Sequence, residues 1–131
     1  LCAAARARRV IGVERNPAAA RDAAADARRN RIANAEFVCA DATEWMSRKA
    51  GERHFDVVLM DPPRAGSTPE FLHGVADLAP ERVVYVSCNV QTQARDLEIL
   101  LGRGYRLQSV APVDMFPHTK HVESVAVLAR K

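Results

Sequence analysis

The sequence predicts an α/β fold in which helices cover a mostly parallel β-sheet. Short apolar segments alternate with longer segments of helical pattern along the 131 residues, and this alternation is typical of parallel sheets wrapped by helices. The last two apolar segments have no helix between them, so we expect those two strands to pair antiparallel. No internal repeat or linker is visible, and residues 1–131 are predicted to form one domain.

Six segments are predicted as strands because each is short and rich in apolar residues. The clearest is residues 55–60 (FDVVLM), which is apolar almost throughout and is therefore predicted to be buried. It ends before Pro62-Pro63, because proline cannot continue a central strand. The other five are residues 10–13, 36–39, 82–86, 105–113 and 122–129.

Four helices are predicted between these strands. The first follows Asn16-Pro17 and reaches Arg29, because asparagine caps helices well and proline suits a first helical turn. The second begins at Thr43 as its cap and ends near Lys49. The remaining two cover residues 68–78 and 92–101.

The composition excludes several classes of protein. Hydrophobic residues make up 48% and charged residues 27%, which excludes intrinsic disorder on composition. No run approaches the roughly 18 apolar residues of a membrane span, and residues 1–9 (LCAAARARR) do not resemble a signal peptide. Because the chain starts with Leu1, we expect it to be a piece of a longer protein. Its three widely spaced cysteines indicate a reducing compartment, so we expect it in the cytoplasm.

Four of the predicted strands lead into a charged or reactive side chain. These are Glu14, Asp41, Asp61 and Cys88. In open parallel sheets, ligands bind beyond the carboxyl ends of the strands. We therefore expect the four side chains to collect along one edge of the sheet.

Glu14 and Asp41 each have two interpretations. Glu14 can accept hydrogen bonds from the two hydroxyls of a ribose, or it can be a surface residue that pairs with Arg15 or Arg9. Asp41 can accept from the amino group of an adenine, or it can cap the helix that begins nearby. The Gly-x-Gly-x-x-Gly loop that usually accompanies a dinucleotide does not occur in the sequence.

Asp61 and Cys88 are the candidates for chemistry. Two prolines after Asp61 fix the backbone and hold its carboxylate at the edge of the sheet, which favours a function over a plain turn. Cys88 precedes a helix, whose N-terminus favours the thiolate that a nucleophile needs, although a buried inert cysteine is the alternative. Cys2 and Cys39 lack this setting and are predicted to be packing residues.

The segment from His118 to Glu123 holds the last group of polar residues. His118 and His121 have no plausible third ligand nearby, so no metal site is predicted. The widely spaced cysteines likewise predict no zinc site, iron–sulfur cluster or disulfide framework. Glu123 begins an apolar strand, where partial burial would suit a general base, and a solvated loop glutamate is the alternative.

Three segments together resemble the S-adenosylmethionine-dependent RNA uracil-5-methyltransferases, which form 5-methyluridine in tRNA and ribosomal RNA. They are residues 55–66 (FDVVLMDPPRAG), 86–97 (VSCNVQTQARDL) and 112–128 (PVDMFPHTKHVESVAVL). The resemblance implies a Rossmann-like class I methyltransferase domain with S-adenosylmethionine as cofactor and RNA as partner. It also implies that the family's first strand and Gly-rich loop would precede Leu1.

The resemblance implies a role for each candidate residue. Cys88 matches the family's nucleophile and Glu123 its general base, whereas Glu14 and Asp61 match cofactor-binding acids and Asp41 falls where related enzymes meet the adenine. The implied reaction is addition of Cys88 to carbon 6 of uracil, methylation at carbon 5, and proton removal by Glu123.

Phe116 is expected to offer an apolar or stacking surface to a base that has left its stack. The family's usual Asn-Pro after the cysteine is Asn89-Val90 here, which removes a constraint on the turn.

Two alternatives stay open at this level. One is a methyltransferase that acts on another base, although Arg64 stands where the enzymes that methylate exocyclic amines have an aromatic residue. The other is a non-catalytic RNA-binding module, for which a net charge of +3 and an aromatic content of 5% are both low.

Overall fold

A computed structural model describes residues 1–51, 54–119 and 121–131. The chain divides into two compact units, Leu1–Arg48 and Lys49–Lys131, and each has its own sheet. None of the described helices combines the length and the apolar content that crossing a membrane requires.

The first unit is built on a pair of parallel strands. After a 3-10 turn at Cys2–Ala5, the elements are β1 (Val10–Glu14), α1 (Pro17–Arg29), β2 (Ala35–Cys39) and α2 (Ala42–Lys49). The register pairs Val10 with Ala35 and Glu14 with Cys39. Gly12 allows a close approach across this pair, because a Cβ there would lie 2.8 Å from the Phe37 ring.

Side-chain caps explain where both helices of this unit begin. Asn16 accepts hydrogen bonds from the amides of Ala18 and Ala19 at 2.9 and 3.4 Å, which confirms the predicted start of α1. The predicted cap of α2 is wrong: Asp41 Oδ1 accepts from the amides of Thr43 and Glu44 at 2.9 and 3.2 Å. Asp41 is the better-placed acceptor because α2 begins one residue before Thr43.

The second unit holds a four-stranded mixed sheet. Its elements are β3 (Val57–Met60), α3 (Pro69–Asp77), β4 (Arg82–Ser87), α4 (Val90–Gly102), β5 (Tyr105–Val113) and β6 (Glu123–Arg130). The strand order is β3-β4-β6-β5, with β3 parallel to β4 and β6 antiparallel to both of its neighbours. The α/β class and the antiparallel pairing of the last two strands are therefore confirmed.

The core of this unit packs helices on the sheet. Side chains that are wholly buried come from α3, α4, β4 and β6: Leu72, Val75, Val83, Tyr85, Leu100 and Leu128. Burying one leucine side chain contributes about 2 to 3 kcal/mol relative to leaving it in water. Tyr105 is also buried, donates to the Pro80 carbonyl at 2.9 Å, and has its pKa raised by that burial.

The prediction that residues 55–60 form a buried strand is wrong in part. The strand begins only at Val57, and Val57 and Leu59 are 47% and 61% exposed. The reason is position, since β3 lies at the end of the strand order and pairs with β4 alone among the described residues. A run of apolar residues predicts strand and burial alike, but the place of a strand in the sheet decides how much is buried.

Candidate active site

The second sheet brings Asp61, Cys88 and Glu123 to the same edge. Asp61 and Cys88 directly follow the last residues of β3 and β4, which are parallel, and Glu123 is the first residue of the antiparallel β6. The last pair between β4 and β6 is Ser87 with Ser124. Cys88 and Glu123 are the residues directly beyond that last pair, one on each strand's side.

The turn that carries Cys88 is held by the residues on either side of it. The buried Ser87 hydroxyl accepts from the Asn89 amide at 3.1 Å and donates to the Asn89 carbonyl at 3.0 Å. Asn89 in turn caps α4 by accepting from the Gln91 amide at 3.1 Å. Helix α4 therefore begins at Val90, two residues before its predicted start, and Cys88 lies half-buried just ahead of its cap.

This cap bears on Val90, which stands where the family usually has a proline. Val90 occupies the first helical position, where proline is favoured but not required. The side chains of Ser87 and Asn89 supply the constraint that the missing proline would have supplied.

Arg64 joins this turn to the loop after Asp61. Its carbonyl accepts from Asn89 Nδ2 at 3.3 Å and from Thr92 Oγ1 at 3.2 Å. Its guanidinium lies 3.4 Å from His121 Nδ1, two residues before Glu123. Sequence reasoning assigned no role to Arg64, and its place directly after two prolines at a strand end was the available signal.

Gln93 is a second residue that sequence reasoning missed. It is buried in α4 and donates through Nε2 to the carbonyls of Tyr85 at 2.9 Å and Ser124 at 3.3 Å. A polar residue on the buried face of a helix was the available signal, because buried amides need partners. Its effect is to hold β4 and β6 together next to Cys88 and Glu123.

The first unit places Glu14 and Asp41 at the edge of its own sheet. Glu14 ends β1 opposite Cys39, and Asp41 follows β2 by two residues. Glu14 Oε1 accepts from the Asn16 amide at 2.6 Å, while Arg9 pairs with Glu36, which removes one of the alternatives for Glu14. The capping role of Asp41 uses Oδ1, so both residues bond the backbone through one carboxylate oxygen.

The other predicted residues fall into different settings. Phe116 is 48% exposed in the loop before β6. Cys2 and Cys39 are exposed, so the prediction that they are packing residues is wrong. A further group of side chains with ligand-type atoms within 4.8 Å of one another lies on the surface, at His54, Asp56 and Glu81.

Comparison with known proteins decides the family. The family model described as tRNA (uracil-5-)-methyltransferase matches residues 1–131. The chain belongs to this family.

Relatives within the family are identical to this chain at close to half of the aligned positions. An RNA methyltransferase of Lactobacillus johnsonii with no assigned function is 48% identical over 92% of this chain. A 23S rRNA (uracil(1939)-C(5))-methyltransferase of Klebsiella pneumoniae is 46% identical over 98% of this chain. The chain spans 27% and 30% of the lengths of these two relatives.

Solved structures agree with the uracil-5-methyltransferase fold. The tRNA (uracil-54, C5)-methyltransferase of Pyrococcus abyssi, in complex with S-adenosyl-L-homocysteine, has a TM-score of 0.82 and 39% identity, and covers 96% of this chain and 30% of its own. NSun6 of Pyrococcus horikoshii has a TM-score of 0.75 and 14% identity, and the match covers 93% of this chain and 41% of that one. At this identity the likeness supports the fold alone.

Proposed function

We propose that the protein transfers a methyl group from S-adenosylmethionine to carbon 5 of a uridine in ribosomal RNA or tRNA, and that residues 1–131 belong to its catalytic domain. The observation that carries the proposal is the β4–β6 register, whose last pair is Ser87 with Ser124, so that Cys88 and Glu123 are the residues directly beyond it at one end of the sheet. A nucleophile and a general base that act on adjacent carbons of one ring need this kind of proximity. Membership of the family supports the same chemistry.

The acidic residues fit the polar groups of the cofactor. S-adenosylmethionine, when bound, supplies an electrophilic methyl group. Its ribose hydroxyls, adenine amine and ammonium group are hydrogen-bond donors. The proposed carboxylate acceptors are Glu14 and Asp41, beyond the carboxyl ends of β1 and β2 in the first unit, and Asp61, beyond the carboxyl end of β3 in the second. Glu14 and Asp41 each bond the backbone through one carboxylate oxygen, and the second oxygen of each is the proposed acceptor for the cofactor.

Cys88 activates the uracil ring. Carbon 5 of uracil is a poor nucleophile, so direct attack on a methyl group would be slow. The Cys88 thiolate adds to carbon 6, and the electron pair of the former 5,6 double bond makes carbon 5 nucleophilic enough to take the methyl group. The turn held by Ser87 and Asn89 fixes the direction from which the sulfur approaches.

Glu123 completes the reaction. Its carboxylate removes the proton from the methylated carbon 5, the double bond re-forms, and the sulfur of Cys88 leaves from carbon 6 as thiolate. Glu123 is half-buried at the start of β6, beside the wholly enclosed Ser124. A carboxylate in such a place is partly shielded from water, which suits a general base.

The uracil must leave its stack to reach this edge. The half-exposed Phe116 ring is proposed to offer the displaced base or its neighbour a stacking surface.

The test uses the complete protein with Cys88→Ala and Glu123→Gln. Cys88→Ala is expected to lower 5-methyluridine formation by about a thousandfold or more and to give no covalent complex with RNA. Glu123→Gln is expected to accumulate a covalent complex that contains methylated uracil, because the carbon 5 proton stays in place. Denaturing gels after incubation with RNA and S-adenosylmethionine measure the complex.

Cys39→Ala is the matched control, since Cys39 is an exposed cysteine of the other unit. It is expected to keep both activity and complex formation. An undiminished complex from Cys88→Ala would rule out Cys88 as the nucleophile. Mass spectrometry of the product nucleosides separates uracil from another base, and RNA binding without any methylation would favour the non-catalytic alternative.

A further inference from the structure

Asp96 is a fully buried acidic residue that the proposed mechanism does not use. It lies in α4 with 0% of its side chain exposed. Its Oδ2 accepts from the Tyr85 hydroxyl at 2.6 Å and from the Ser67 amide at 2.7 Å. Its Oδ1 accepts from Arg95 Nε at 2.9 Å and Nη2 at 2.7 Å.

The burial of the Asp96 carboxylate is not explained by stability alone. Taking the Asp96 carboxylate out of water costs several kcal/mol, whereas 56% of the Arg95 side chain stays exposed, and well-packed apolar residues often stabilise a core as well or better. Burial and the neighbouring Asp96 carboxylate raise the pKa of the Tyr85 phenol, which stays protonated as a donor. The partners of the pair therefore indicate what it does.

Those partners include the backbone of residues 64–67, the loop that follows the two prolines after Asp61. Besides the bond from the Ser67 amide, Arg95 Nη2 donates to the carbonyls of Ala65 at 3.0 Å and Ser67 at 3.3 Å. Gly66 has a φ of +79°, and a Cβ there would lie 2.6 Å from Asp96 Oδ2. Residues 64–67 therefore pack so closely against the Arg95–Asp96 pair that a side chain at position 66 would clash with it.

The same loop contacts the turn that carries Cys88. Arg64, at its start, accepts from Asn89 and Thr92 through its carbonyl. One end of the loop therefore joins the residue after Cys88, and the other end is bonded to the buried carboxylate of Asp96. A loop bonded at both ends to one helix fixes the position of the chain after Asp61 relative to the turn around Cys88.

We propose that Asp96, together with Arg95, is a positioning residue that holds residues 64–67 on α4 and so keeps Asp61 and Cys88 at a fixed spacing for methyl transfer. This inference rests on the proposed function, in which Asp61 contacts the cofactor and Cys88 the uracil. A fixed spacing lowers the barrier of the chemical step, because the reacting groups do not have to be brought together at the moment of reaction.

Asp96→Asn in the complete protein tests this positioning. If the amide oxygen faces Arg95, the amide nitrogen faces Tyr85 and Ser67. The tyrosine hydroxyl can turn and accept from that nitrogen, whereas the Ser67 N–H cannot and loses its acceptor. The substitution therefore removes the Ser67 bond and weakens the hold on the loop, while the bonds from Arg95, Asn89 and Thr92 and the shape of the side chain remain.

Tyr85→Phe is the matched control, because it removes a donor to the same oxygen and leaves the bond from the Ser67 amide to Asp96 in place. RNA that contains 5-fluorouridine serves as the probe: carbon 5 then carries no removable proton, so the covalent complex persists. The final amount of covalent complex measures the fraction of correctly folded protein. The rate at which the complex forms measures how well Cys88 is positioned for the reaction.

Asp96→Asn is expected to slow complex formation and kcat by about tenfold to a hundredfold. The final amount of complex and the KM for RNA are expected to stay within about twofold of the parent values. Tyr85→Phe is expected to keep the parent rate. Amide hydrogen exchange is expected to quicken at residues 64–67 in Asp96→Asn and not in Tyr85→Phe.

Other outcomes overturn the inference. A lower final amount with an unchanged rate would make Asp96 a structural residue only, as would equal rates and equal exchange for both variants. A parent protein that forms no complex refutes the proposed function instead. In that case faster exchange at residues 64–67 in Asp96→Asn would still support the loop contact, and unchanged exchange would refute it.

Discussion

Two loops at the same edge of the second sheet are held in opposite ways. The loop of residues 64–67 is bonded through Arg64, Ala65 and Ser67 to side chains of α4 and its cap. The loop of residues 114–119 makes local hydrogen bonds within itself, such as those from the Thr119 amide and hydroxyl to the Phe116 carbonyl at 3.2 and 2.8 Å. Its Met115 and Phe116 side chains are 64% and 48% exposed.

The difference fits two different tasks. Positions that take part in bond making need a geometry that is fixed in advance, and buried charge-assisted hydrogen bonds give that geometry. A surface that meets a large and flexible RNA gains from exposed apolar groups that can adjust to it. Substitutions in the first loop are therefore expected to affect folding and rate, and those in the second to affect RNA binding.

Gly66→Ala is expected to give the largest loss of stability. The new methyl group would meet the Asp96 carboxylate at 2.6 Å, and alanine disfavours a φ of +79°. The cost is about 2 to 4 kcal/mol. Thermal unfolding of the complete protein measures it. Gly51→Ala is the control, because Gly51 has a similar φ of +80° but nothing within 4 Å of the added carbon.

A Gly66→Ala protein that is no less stable than Gly51→Ala would show that the loop can move away from Asp96. Residues 64–67 would then not be held in a fixed geometry, and the contrast with residues 114–119 would fail.

Asn89→Ala is expected to have an intermediate effect. It removes the cap of α4 and the bond to the Arg64 carbonyl, while Thr92 keeps its own bond to that carbonyl. Loss of such a cap costs about 1 kcal/mol, and thermal unfolding again measures it. Asn89→Asp, which keeps the capping oxygen but not the donated bond, is expected to recover most of the stability. An Asn89→Ala protein as stable as the parent would contradict the role of Asn89 in the turn.

Phe116→Ala is expected to have the smallest effect on stability, within about 0.5 kcal/mol, because the ring is half-exposed on a loop. RNA affinity is expected to fall by about 1 kcal/mol or more if the ring stacks on a base. Titration of RNA into the complete protein measures the affinity, with Phe116→Tyr as the variant that keeps a stacking surface. Equal affinity for Phe116→Ala and the parent would remove the stacking role.

The elements of this protein were predictable because their signals are local. Asn16-Pro17 marks the start of α1, and the missing helix between the last two apolar segments predicts that β5 and β6 pair antiparallel. Helix caps were less predictable where two acceptors compete, as at Asp41 and Thr43. Helix α4 begins two residues before the predicted residue 92, because Asn89 caps it.

The sequence alone determined which residue types lie at the ends of the strands, since Asp61, Cys88 and Glu123 each stand next to an apolar segment. Only the tertiary structure decided which of them come together, because the β4–β6 register is set by pairing between segments far apart in the chain. The contacts of Asp96 were equally out of reach. An Arg-Asp pair in a helix is ordinarily solvated. Here the Asp96 carboxylate is buried because Tyr85 and the loop of residues 64–67 cover it, while 56% of the Arg95 side chain stays exposed.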